Sequence, residues 1–350
     1  MIYLHELKKL LLSPVLLALA AMCVIANLTF LLVERDSLAP YDQLGHPSDA
    51  VAAQAVSIFE GYRTADIAEG YVRWYRLEGD NAERVRAKYE ALQPVVDRKA
   101  ASAEKPPVYF SGRMTDLEVL LFGKLLKHVS QEIGLLALLC ALLAAVYEQM
   151  RGTERLIYVS KIGRKIQLAK LWAALSTSAA LSLFVIGLSL LTFFVLFDFP
   201  IPWRADVSSV FDHALGESKP FITWHDLTVA EYLGAALAIS FGLALCCGLI
   251  GFAAGTGIRS AYAAFGACVL LLAAFDLIAR SPLLPVGSIF KSVWSLNPMW
   301  MWRNSGTWFT DGRAEVLWAN FETLGLFAYS AVFAAAAWLA YRLLRRREIH

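Results

Sequence analysis

Six apolar stretches, at approximately 14–33, 129–150, 168–197, 229–255, 260–280 and 320–343, dominate the chain. Each matches or nearly matches the run of about 20 apolar residues that an α-helix needs to cross a hydrocarbon layer. Hydrophobic residues make up 58% of the chain and charged residues only 18%, with a mean hydropathy of +0.52. That balance excludes an ordinary soluble domain. The expected fold class is an all-α integral membrane protein with six transmembrane helices. An even number of crossings puts both termini on one side.

Basic residues choose the side. Lys8, Lys9, Arg151, Arg155, Lys161, Arg164, Lys165, Lys170, Arg259, Arg342, Arg345, Arg346 and Arg347 all fall in the termini or in short loops on the terminal side, and such segments stay in the cytoplasm. On the opposite side, Asp198, Asp206, Asp212, Glu217 and Asp226 offset the bases. The chain is therefore expected to be a multi-pass protein of a prokaryotic cell membrane, the inner or plasma membrane, with both termini cytoplasmic. The first apolar run is as long as a full span and lacks a small-residue cleavage site, so it reads as a transmembrane helix and not as a cleaved leader. All five cysteines, Cys23, Cys140, Cys246, Cys247 and Cys268, fall inside spans, where packing is their expected role.

Between the spans, residues 1–13 place Ile2, Leu4, Leu7, Leu10 and Leu11 among Glu6, Lys8 and Lys9, an amphipathic helix suited to the lipid boundary. A leader with snorkelling lysines fits the same segment. Ser13-Pro14 supplies a corner, because serine caps helices and proline is tolerated at their first position. Residues 34–128 are polar enough for a mostly helical extracellular domain, with helices over Val51–Gly61, Tyr62–Leu77 and Asn81–Lys99. Gly79-Asp80 is its expected turn and Lys105-Pro106-Pro107 its stop. Met114–Lys127 is amphipathic and suited to the outer leaflet. Residues 151–167 form a cytoplasmic loop, 198–228 an extracellular loop, 281–319 an aromatic extracellular loop open to re-entrant structure, and 344–350 a basic cytoplasmic tail.

The cytoplasmic loop runs Glu148-Gln149-Met150-Arg151-Gly152-Thr153-Glu154-Arg155-Leu156-Ile157-Tyr158-Val159-Ser160-Lys161-Ile162-Gly163-Arg164. Gly152-Thr153 breaks from the preceding span, and Leu156, Ile157 and Val159 offer apolar knobs ringed by bases. Anchoring to anionic lipid accounts for the charge equally well. As a whole segment, however, it resembles the loop between the second and third helices of ABC-2 type transporter permeases, and Glu-Leu-Lys-Lys-Leu-Leu-Leu-Ser-Pro at the start resembles their interfacial elbow helix. That resemblance implies a coupling helix built on Glu148, Gly152, Thr153, Glu154, Arg155, Leu156, Ile157, Val159, Lys161, Gly163 and Arg164. It further implies two copies of a separate ATP-binding subunit and a second permease subunit, as in a homodimer, working as an exporter. Spans lined by apolar and small residues, with no concentrated charge, suit a hydrophobic or amphipathic substrate. A peptide or antimicrobial is favoured as cargo; a lipid or drug also fits.

No G-x-x-x-x-G-K-[ST] phosphate loop occurs, so the chain is not expected to be an enzyme, and ATP and magnesium belong to the partner. Ser240, Ala244, Gly248, Gly251 and Gly255 form a small-residue face for helix packing, within the subunit or between subunits. Glu132, Glu231 and Glu322 are placed near the outer span ends, Glu148 near an inner end, and Asp276 one turn from Arg280, close enough to pair. In the last external loop, Trp294, Trp300, Trp302 and Trp308 read either as an interfacial belt or as a greasy substrate exit. No cofactor, metal site or nucleic-acid partner is expected, and membrane lipid is. The competing reading is an ATP-independent membrane protein: an immunity factor, a channel or an integral membrane enzyme. Its nearest polar cluster is His213 and His225 with Asp212 and Asp226.

Overall fold

A computed structural model describes residues 2–42, 59–102, 118–153, 166–197, 201, 203–211, 220–258 and 260–346. Among the described residues there are helices and two isolated β-bridges, and no strands. Among the described residues, six helices are long and apolar enough to cross a membrane: Pro14–Asp36, Val119–Met150, Ile166–Leu196, Val229–Gly257, Ala261–Arg280 and Phe321–Arg346. The chain is therefore an all-α protein with the character of a multi-pass membrane protein.

Helix α1 (Ile2–Leu11) ends just before Ser13, and α2 (Pro14–Asp42) starts on the proline, as the Ser13-Pro14 corner predicts. A hairpin follows, α3 (Thr64–Tyr75) and α4 (Gly79–Ser102). Its turn rests on left-handed backbone at Arg76 (φ 51°) and Gly79 (φ 55°), which glycine adopts without a Cβ clash. Residues 51–58 and 103–117, which cover most of the expected first helix and the Lys105-Pro106-Pro107 stop, lie outside the described residues.

Helix α5 (Leu126–Met150) is led in by a π-helical stretch, Glu118–Leu125. Leu120, Leu121, Phe122 and Leu125 are buried, and Phe122 meets Phe211 at 5.2 Å and Tyr232 at 5.1 Å between ring centroids. This segment therefore packs on protein and not on a leaflet. The loops across from it provide the apolar surface that its amphipathic pattern requires.

The remaining elements are α6 (Ile166–Leu196), the single turn α7 (Val207–Val210), α8 (Val229–Gly257), α9 (Ala261–Arg280), α10 (Ile289–Trp294), α11 (Pro298–Arg303) and α12 (Phe321–Arg346). Thr228 and Glu231 close a capping box at the start of α8, which satisfies two otherwise orphaned N–H groups. Helix α5 is the axis of the bundle: 72% of an 18-residue apolar stretch along it is buried, against 17% of the corresponding stretches of α9 and α12. Apolar side chains of the outer helices, such as Leu17, Ile25, Leu270, Leu277 and Phe327, face outward, the pattern of a lipid-bathed surface.

Helix α8 reaches the axis through its small-residue face. Gly248 lies against Leu175 and Ala137, Gly251 against the backbone of Leu138, and Gly255 against Ala145 and Leu142. With no side chain between them, the two backbones approach closely enough to gain dispersion over a long contact. The small-residue pattern thus serves packing within the subunit.

Opposite the end that carries α1, the α3–α4 hairpin and the loops around α7, α10 and α11 assemble into a folded cap. It has its own core of Phe59, Ala68, Val85, Tyr89, Leu92, Val96, Ile222 and Ala314. Lys99 pairs with Asp206 at 2.8 Å and Asp226 at 3.5 Å, and Arg98 with Asp226 at 2.8 Å. Buried Lys88 donates to the carbonyl oxygens of Arg313 (2.5 Å), Val316 (2.7 Å) and Asp311. These bonds pin the hairpin to the loop before α12. Lys88→Met is expected to leave three carbonyls without their donor and to lower stability by about 2 kcal/mol, given that a hydrogen bond to a charged group contributes about 1.5–3 kcal/mol. Urea denaturation in detergent checks this.

Candidate functional site

At the end of the bundle that carries α1, four charged side chains from three helices form a buried knot. Glu148 closes α5, Lys170 opens α6, and Glu6 and Lys9 come from α1. Lys9 Nζ lies 3.0 Å from Glu148 Oε1 and 2.5 Å from Glu6 Oε2, while Lys170 pairs with the other oxygen of Glu148. Lys170 is 1% exposed, Glu6 3% and Glu148 7%. Two carboxylates face two ammonium groups, so the knot is neutral as a unit, the condition for burying charges.

Around the knot, Lys9 lies over the Tyr147 ring at 4.2 Å and Arg151 approaches it at 4.9 Å. Tyr3 Oη donates to Ser176 Oγ at 2.9 Å, a second tie from α1 to α6. On α1 the inward face therefore includes Glu6 with Leu10, while Leu4 is exposed. The amphipathic pattern alone would have sent Glu6 outward with Lys8.

Three of the residues assigned to coupling from the sequence are visible. Glu148 sits in the knot, Gly152 takes φ 66°, a left-handed value that releases the chain from α5, and the Thr153 N–H donates to the Glu148 carbonyl at 3.0 Å. Glu154, Arg155, Leu156, Ile157, Val159, Lys161, Gly163 and Arg164 lie outside the described residues. The knot thus stands at both roots of that loop, where α5 leaves and α6 begins. In the sequence Lys9 and Lys170 serve as orientation signals; their pairing with Glu148 has no local signature, because Lys9 and Glu148 are 139 residues apart.

No protein-family model and no curated protein matches the chain.

At the cap end, the four tryptophans occupy different settings. Trp294 is half-buried beside Phe275, at 6.2 Å. Trp300, Trp302 and Trp308 are 6%, 5% and 1% exposed. Trp300 stands edge-on to Phe321 at 5.4 Å, Trp302 fills the space over Gly134 of α5, and Trp308 Nε1 donates to the Met301 carbonyl at 3.1 Å. Lining an exit with these three rings requires the packing of α10 and α11 to open, and their truncation removes core volume as well as any exit.

Asp276 pairs with Arg280, as the one-turn spacing indicates, and also with Arg303 of α11. Arg303, outside the spans, has its pKa pulled below the ordinary arginine value by burial. Lys291 Nζ donates to the Ala279 carbonyl at 2.6 Å, and burial likewise pulls its amine downward. His225 Nε2 meets Asn320 Oδ1 at 3.1 Å and Asp226 pairs with Arg98; Asp212 and His213 lie outside the described residues. Among the described residues, no three His, Cys, Asp or Glu side chains are placed to hold a metal ion.

Proposed function

We propose that this chain is the membrane-spanning subunit of an ATP-driven exporter of the ABC-2 type, coupled through the loop 151–167 to a separate ATP-binding subunit. The carrying observation is the Glu6–Lys9–Glu148–Lys170 knot. It ties α1 and both roots of the loop into one rigid piece, so a displacement of the loop is passed to α5 and α6 together and not absorbed at either root. Helix α5 is also the axis on which α8 packs, which carries the displacement across the bundle.

In this reading the end carrying α1 is cytoplasmic and the cap is outside. ATP and magnesium reside on the partner, two permease subunits assemble as a homodimer, and cargo is hydrophobic or amphipathic. The permease performs no chemistry. Its partner shifts a conformational population by contacting the loop differently in its nucleotide states, and the shift is limited by that difference in contact energy.

Affinity purification of the tagged chain from its native cells in mild detergent, followed by mass spectrometry, tests the assignment. An ATP-binding subunit is expected with the parent chain and is expected to disappear with Leu156→Asp/Val159→Asp. Recovery of the intact chain with no such subunit in either sample would sink the reading.

A further inference from the structure

In the cap-side half of the bundle, polar side chains from three crossing helices meet at apolar depth. Asn27 of α2 donates through Nδ2 to Glu132 Oε2 of α5 at 2.7 Å and to Ser189 Oγ of α6 at 3.0 Å. Asn27 and Ser189 are each 2% exposed, whereas Glu132 is half-buried. The trio lies roughly two to four helical turns inside the cap-side ends of its helices.

Glu132 also belongs to a seam. Lys124, His128 and Glu132 recur every four residues along one face of α5 and its lead-in, and meet Glu34, Phe30 and Asn27 of α2 in matching order. Lys124 pairs with Glu34 at 2.7 Å, and the exposed His128 ring stands edge-on to Phe30 at 5.1 Å. At the third level the counterpart of Glu132 is an amide and not a cation. One turn from Glu132 on the same face of α5, Leu135 is 41% exposed, an apolar surface open to the surroundings of the bundle.

Interhelical hydrogen bonding explains Asn27 and Ser189, since such polar pairs hold crossing helices together. It leaves the choice of a carboxyl unexplained: a serine or glutamine at 132 would accept from Asn27 without a group able to carry charge at this depth, where charge is costly. Asn27 uses its amide nitrogen twice, so its Oδ1 and Glu132 Oε1 remain acceptors. Two oxygens, one of them on a carboxylate, suit an ammonium group, which offers three donors. Calcium requires six to eight oxygens, about twice what these side chains supply.

We propose that Asn27, Glu132 and Ser189 form a binding site for the primary ammonium group of an amphiphile that enters between α2 and α5, with its chain along Leu135. An amine cargo and an ethanolamine lipid headgroup share this chemistry. As a cargo site it rests on the exporter reading; as a binding site it does not.

The test uses the purified full chain in nanodiscs of phosphatidylcholine and phosphatidylglycerol, with radiolabelled dodecylamine as probe and dodecanol as the neutral match. Glu132→Gln keeps an acceptor for Asn27 and removes only the charge. Wild type is expected to bind dodecylamine at least about tenfold more tightly than Glu132→Gln, a difference of about 1.4 kcal/mol, with dodecanol binding equal in both. Added phosphatidylethanolamine that competes in wild type alone assigns the site to the headgroup; absence of competition assigns it to a free amine. Equal dodecylamine affinity for the two proteins, at matched melting temperature, would overturn the site, as would a wild type that takes up a proton at Glu132 and shows no preference for amine. None of these outcomes depends on whether an ATP-binding subunit is found.

Discussion

Replacing Glu148 with Ala is expected to destabilise the protein by about 3–5 kcal/mol, the cost of leaving a buried ion without its partner. Lys170 is 1% exposed and would face Lys9 with only Glu6 left to compensate both. The control is Glu148→Leu/Lys170→Met, which removes one charge of each sign and fills the space with apolar atoms. Because buried ion pairs are often replaceable by well-packed hydrophobic residues, the double variant is expected to recover most of the stability. Thermal melting in detergent reads both. Equal, small losses in all variants would show that the knot carries no energetic weight.

The second large effect is expected at Gly251. A Cβ there would meet the carbonyl oxygen of Leu138, with its carbonyl carbon at 3.1 Å and Cα at 3.2 Å. These are backbone atoms of the axial helix, which cannot rotate out of the way as a side-chain tip can. Gly251→Val is therefore expected to cost about 3 kcal/mol or more by overpacking, and to separate α8 from α5. Gly266, inside α9, has nothing within 4 Å of the equivalent position. There, Gly266→Ala is expected to be neutral or to stabilise by about 0.5–1 kcal/mol through lower backbone entropy in the unfolded chain. Comparable losses at both sites would contradict a packing role specific to the α5–α8 crossing.

The parts of this structure that were legible in the sequence are those set by local pattern. Apolar runs of span length became the six long helices, Ser13-Pro14 became a corner, and Asp276 found Arg280 one turn away. The small-residue face around Gly248, Gly251 and Gly255 met another helix for the same reason, since close approach needs only missing side chains. What stayed hidden depends on partners distant in sequence. Lys9 and Lys170 look identical to any bases that mark a cytoplasmic loop until α1 folds back and places them on Glu148. Trp300, Trp302 and Trp308 have the same composition in a membrane belt as in a core, and only the loops around α10 and α11 enclose them. Glu132 was legible as a polar residue of a span, but the sequence set it near the span end, whereas the helix runs from Val119 and carries it deeper, and its tie to Asn27 and Ser189 needs three helices in register.

The most direct test of coupling is magnesium-ATP hydrolysis by material purified through a tag on this chain, comparing the parent with Leu156→Asp/Val159→Asp. Vanadate-sensitive hydrolysis is expected to co-purify with the parent and to fall at least about tenfold with the double variant, as expected when an interface loses about 1.4 kcal/mol or more. Folded, intact parent chain that carries no hydrolysis would contradict an ATP-driven exporter.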